Sequence, residues 1–219
     1  PYGQFLFAIS ENLFDKHPYK DPNVGYMKDL DAATLDEFKS YFNKYYVPNN
    51  AALVVAGDID IAKTKKMISD YFAPIPSGEK LERTYPVEEP ITKEIDAEFH
   101  DNNIQVPAVL TAYRTPGYGE RDAYVLNMIS SYLSDGKSSK LYKKLVDNQK
   151  QALQVGAFNL EQEDYGMYLI FGLPLGETTL DTLSAEIEEE IANLRNNLIS
   201  ESDFKKLQNK AETNFVNSN

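Results

Sequence analysis

Apolar residues in this chain recur at two spacings, and the spacing changes mark its elements. Over residues 4–14, Phe5, Leu6, Ile9 and Leu13 share one face and predict a helix. His17-Pro18 and Asp21-Pro22 end it, because a residue before proline is pushed out of the helical region. Thr34 and Glu37 then form a T-x-x-E capping box, followed at helical spacing by Leu35, Phe38, Phe42 and Tyr45. Pro48-Asn49-Asn50 stops that helix. Residues 51–56 (AALVVA) are a continuous apolar run, read as a strand buried on both faces. Gly57-Asp58 turns the chain, and Asp60 caps a helix whose stripe is Ile61, Met67, Ile68, Tyr71 and Phe72.

The pattern lapses over residues 74–92, where Pro74, Pro76, Ser77, Gly78, Pro86 and Pro90 have linker composition. Strands are predicted at 93–100 and 105–113, separated by Asp101-Asn102-Asn103. A helix over 120–134 carries Val125, Ile129, Tyr132 and Leu133, and Ser138 opens another with Leu141, Tyr142 and Leu145. A second strand pair, 152–160 and 167–175, flanks the polar stretch Glu161–Asp164. A long helix over 179–198 and a last one capped by Ser200 with Asp203 complete the order ββααββαα. That order predicts an α+β fold: an antiparallel or mixed sheet with helices packed on one face. The expected division is 1–73 as the C-terminal part of a first unit, 74–92 as linker and 93–219 as a second unit.

Composition narrows the function classes. The 219 residues are 42% hydrophobic, enough for a sizeable core, and carry a net charge of −12. An acidic balance argues against nucleic acid and against anionic membrane surfaces, both being polyanions. No run approaches the ~18 apolar residues of a membrane-spanning helix, so no membrane insertion is expected. There are no cysteines, hence no disulfide and no thiolate chemistry. The chain opens on Pro-Tyr-Gly without a methionine and is expected to be a piece of a longer protein.

No catalytic residue emerges from the pattern. His17 and His100 are the only histidines, too few for a two-histidine metal helix, so no metal site is expected. His17 reads as the buttress of a turn and His100 as a surface residue. The run Glu186, Glu188, Glu189 and Glu190 lies opposite an apolar stripe and reads as a solvated face. Asp135-Gly136-Lys137-Ser138 follows a helix and lacks the first glycine of a phosphate loop, so it reads as a helix–helix turn. Ser138 and Ser139 lack the context of a nucleophile and read as caps.

Several segments in order resemble the insulinase, or pitrilysin, family of zinc peptidases, to which mitochondrial processing peptidase is related. They are HPYKDPNVG at 17–25, YFNKYYVPNNAALVVAGDID at 41–60, YRTPGYGERDAYVLNMISSYLSDG at 113–136 and SSKLYKKLVDNQKQALQVGAF at 138–158. The resemblance implies α+β units paired like a clamshell around a peptide. It also implies a parent zinc metalloendopeptidase in which a zinc-activated water attacks the peptide bond. The family's H-x-x-E-H motif is absent from this chain. The arginine and tyrosine that the facing half often supplies to substrate fall here on Val146 and Leu153. Neither can hydrogen-bond a substrate carbonyl.

The expected role is therefore chamber wall and interface, with no zinc bound and no activity by this chain alone. Either it lies downstream of a zinc site, or it comes from a degenerate half that only shapes the chamber. A non-catalytic scaffold subunit of the same fold is the alternative. The partners implied are a peptide substrate and a homologous peptidase half, with a homodimer as a further option. The residues themselves fix no compartment; the resemblance implies the bacterial periplasm or cell envelope.

Overall fold

The computed structural model describes residues 4–218. Contacts divide the chain into two units: residues 14–90 form one, and residues up to 13 join those from 91 onward in the other.

The 14–90 unit holds three helices, α2 (Met27–Ala32), α3 (Leu35–Tyr45) and α4 (Ile61–Phe72). Their starts follow the capping chemistry. Thr34 and Glu37 form the reciprocal capping box, with Thr34 N donating to Glu37 at 2.7 Å. Asp60 accepts from Lys63 N at 2.9 Å. A 3₁₀ turn, Pro18–Lys20, is capped by His17, whose Nδ1 accepts from Tyr19 N. His17 is buried, and its ring meets Phe14, Tyr19 and Tyr85. The buttress role expected of it is the one the structure shows. Beside it, Oε1 of the buried Glu88 accepts three successive backbone N–H groups, from Asp15, Lys16 and His17, at 2.9, 2.7 and 2.7 Å.

Residues 51–56 are a correction to the sequence reading. They form no ladder, and all six side chains are exposed, Val54 at 85%. A strand is stabilised by its neighbours, and among the described residues this unit contains no second strand to supply them.

The other unit centres on a three-stranded antiparallel sheet in the order β1 (Val109–Pro116), β3 (Tyr165–Pro174), β2 (Ala152–Glu161). Registers such as Ala112↔Leu169 and Ala157↔Ile170 fix the two faces. On one face Tyr168, Ile170, Val155 and Ala157 pack with Leu133 of α5 (Arg121–Ser134) and with Leu183 and Ile187 of α6 (Leu180–Asn196). Gly172 permits this approach, since a Cβ there would lie 2.8 Å from Leu183. α1 (Phe5–Leu13) lies against the opposite face, with Ser10 Oγ donating to Met167 Sδ and Arg114 donating to the Leu13 carbonyl. α7 (Glu201–Ser218) starts at the expected cap, Asp203 N donating to Ser200 Oγ. Its Lys206 donates to Ser138, and its Lys210 pairs with Asp135. No helix among the described residues is long and apolar enough to cross a membrane.

Two strand expectations need revision here. Residues 93–100 are unpaired, and β1 begins at Val109 rather than 105. Pro107 has no N–H to donate to a ladder, which delays the start. The turn before it, closed by Ile104 N to the Asp101 carbonyl at 3.0 Å, has negative φ at both central residues. That geometry splays the arms of a two-residue hairpin.

Candidate functional site

Irregular backbone concentrates in the twelve residues from 142 to 153. Helix expectations behind Ser138 are met by a different winding, a π-helix over Tyr142–Asn148. Lys150 follows with φ +52°, the one described non-glycine residue at positive φ. The register of β2 on β3 then slips between Ala152 and Gln154, which leaves Leu153 as the extra residue of a bulge. Between them the side-chain oxygen of Gln151 is buried with no hydrogen-bond partner among the described residues. π-turns, left-handed residues and bulges each carry strain and gather at functional positions.

Val146 and Leu153, the two positions singled out from the sequence, both fall in this segment. Val146 sits on the π-helix and packs partly buried against the main core. Leu153 sits on the bulge of an edge strand and is 56% exposed. An apolar side chain is therefore aimed at solvent where the backbone is least regular.

The acidic run of α6 does more than face solvent, a second correction. Lys144, on the π-helix and only 21% exposed, reaches Glu186 at 2.9 Å, Glu189 at 2.5 Å and Glu190 at 3.1 Å. Partial burial alone would lower the Lys144 pKa, but the hydrogen bonds to Glu189, Glu186 and Glu190 outweigh it and hold it above its ordinary value. The same bond from Lys144 lowers Glu186. Glu188 and the 62%-exposed Glu189 keep the solvated reading, while Glu186 and Glu190 are largely covered. The spacing of 186, 189 and 190 along one helix face, opposite an L-Y-K-K-L-V segment, was the available signal.

Asp135-Gly136 is the expected turn, with Gly136 at φ +80° and Ser139 donating to its carbonyl. His100 is exposed beside Glu98 at 3.3 Å. Among the described residues no three histidine, cysteine or carboxylate side chains gather as a metal site would require. With His17 enclosed by rings and His100 on the surface, the residues present do not fit a zinc ion.

An apolar surface in the 14–90 unit is the other candidate. Leu35, Phe38 and Phe42 of α3, Leu53 and Val54, and Met67 and Tyr71 of α4 are all exposed. Those of α3 and α4 lie on the apolar stripes read from the periodicity. Apolar stripes left exposed on two helices are what an interaction site draws on.

Comparisons with known proteins give the chain a family and relatives. The model of the peptidase M16 inactive domain matches residues 32–211. The chain is 26% identical to the zinc protease PqqE of Helicobacter pylori, over 99% of its own length and 49% of that protein's. It is 25% identical to the uncharacterized zinc protease YmxG of Bacillus subtilis, over 93% of its length and 48% of the relative's. It thus spans about half the length of these curated relatives. Among solved structures, a protease from Helicobacter pylori aligns with TM-score 0.79 at 25% identity, covering 99% of this chain and 53% of the other.

Proposed function

The chain belongs to the peptidase M16 inactive-domain family, and from that premise we propose that it is the non-catalytic part of a zinc metalloendopeptidase. It supplies wall and interface to a chamber that closes around a peptide, and a homologous half of the enzyme is its partner. Hydrolysis belongs to residues outside this chain. The observation that carries this reading is the exposed apolar surface of α3, residues 51–56 and α4. A chain spanning half the length of its relatives has such a surface to offer to the remainder.

The 142–153 segment supports the non-catalytic role. Val146 and Leu153 stand where a substrate-binding arginine and tyrosine would be, and neither can donate to a carbonyl. The apolar character of both positions also favours a second reading, a scaffold subunit of the same fold with no peptidase function.

Separate expression of this chain and of the remainder of its parent, followed by mixing, tests the proposal. The expected result is no peptide cleavage by the chain alone and a chelator-sensitive peptidase in the mixture. A stable but inactive mixture favours the scaffold. One zinc per chain after chelator washing, or cleavage by the isolated chain, overturns both.

A further inference from the structure

A cavity of about 490 Å³ opens at the C-terminal end of β1, between the loop that enters α5 and the loop that joins β2 to β3. Its lining is acidic and aromatic. Glu120, Glu163 and Asp164 supply carboxylates, and Tyr118 and Tyr165 supply rings. Backbone holds the two loops together. Tyr118 N donates to the Gln162 carbonyl at 2.7 Å. A Cβ at Gly117 would strike the Glu163 carbonyl, so glycine is what lets the loops close this far.

Thr115 points to a ligand. It lines the cavity, is only 8% exposed, and its Oγ1 has no hydrogen-bond partner among the described residues. A buried hydroxyl left unmatched is costly, so an occupant that supplies a donor is favoured there. Glu120 is the N-cap of α5 but makes no side-chain cap bond. Among the described residues neither its carboxylate nor that of Glu163 has an ion-pair partner.

We propose that this cavity binds the lysine or arginine side chain of a peptide. Three lining carboxylates face one lining guanidinium, that of Arg114, so the local field favours a further cation. Arg114 stands over the Tyr165 ring, 5.6 Å from its centroid, and donates to the Leu13 carbonyl at 2.7 Å. The wall thus already carries one cation–π contact, and the exposed ring of Tyr118 offers a second face. A side-chain ammonium or guanidinium brings several N–H donors, one for Thr115 Oγ1 and others for the carboxylates. A metal ion is the poorer occupant, because among the described residues no three histidine, cysteine or carboxylate side chains gather as it would require. The exposed carboxylates give a pull that salt screens, whereas the buried hydroxyl and the rings give selectivity. Binding here is independent of any peptidase role, since it is read on this chain whatever the assembled parent cleaves.

Titration of the full chain with the tripeptide Gly-Lys-Gly, blocked at both ends and followed by amide resonances, tests the proposal. Shifts are expected at Gly117, Tyr118 and Gly166. The neutral Gly-norleucine-Gly is expected to bind at least about tenfold more weakly. Thr115→Val keeps the outline of the side chain and removes its oxygen. It is expected to weaken binding of the lysine peptide at least about tenfold, with the thermal midpoint unchanged or raised, because the hydroxyl it removes has no partner. Glu163→Gln, at an exposed position, is expected to weaken binding about two- to fivefold and to flatten its salt dependence. Equal binding of the norleucine peptide, unchanged affinity in either variant, or shifts spread over the carboxylates of α6 instead overturns the proposal. The same shifts with calcium chloride alone overturn it too, by making the cavity a simple cation site.

Discussion

Glu88 shows how one side chain can organise a turn. Its Oε1 receives three consecutive N–H groups, from the exposed Asp15 and Lys16 and the buried His17. Charge-assisted bonds of this kind are stronger than neutral ones. Glu88→Gln is expected to lower stability by about 2 kcal/mol, since the amide keeps one acceptor but loses the charge. The shift of the urea midpoint measures it, with Glu89→Gln, an exposed neighbour, as the control. Val146 and Leu153 are expected to respond oppositely to restoration of polar residues. Leu153→Tyr, exposed on a bulge, changes stability by less than about 0.5 kcal/mol. Val146→Arg places a charge against the core and costs about 1–3 kcal/mol. Thermal denaturation of the two variants separates them. Val146 and Leu153 were legible as positions in the sequence, but not the π-turn and bulge that hold them, because neither irregularity has a composition signal.

At the scale of elements, Lys144 joins the π-helix to α6 by three carboxylates. Lys144→Met leaves Glu186 and Glu190 half-buried without their partner and is expected to destabilise by about 1–3 kcal/mol. The pH dependence follows from the two shifts. The Glu186 carboxyl is held below its usual 4.5, so its contribution is present above that value and fades as pH falls below it. The Lys144 ammonium is held above 10.5, so its contribution is present below that value and fades as pH rises through the folded-state pKa. Between those limits the tie is at full strength. Denaturant midpoints for the parent and for Lys144→Met should converge as pH falls through the lowered folded-state pKa of Glu186.

Elements with local signals were read well from sequence: Thr34, Asp60 and Ser200 cap the helices assigned to them. The long α6 stripe and the β2–β3 pair also appear where periodicity set them. Residues 51–56 and 93–100 were misread for one shared reason. Their apolar patterns report what a segment can bury, whereas a ladder also needs a neighbour and a turn of the right hand.

For the whole molecule, the apolar surface of the 14–90 unit dominates behaviour. The isolated chain is expected to bind a hydrophobic dye and to self-associate with rising concentration. Addition of the remainder of the parent should suppress both. Phe38→Ser with Phe42→Ser should reduce dye binding with little loss of stability, because both side chains are exposed. A monomeric chain that binds no dye would contradict the interface role.

The Glu88 clasp also has a mechanical consequence. Asp15–His17 and Glu88 are the two ends of the 14–90 unit, and the carboxylate ties them together. A pull on the chain from outside this unit is borne first by the clasp, and the residues inside it feel no tension. His17 and Glu88 are 71 residues apart in sequence. Once α2, α3 and α4 unfold behind it, the freed segment spans roughly 250 Å at about 3.5 Å per residue. In a force trace Glu88 is the fuse: its failure shows as one long extension step, and Glu88→Gln lowers the force at which that step begins.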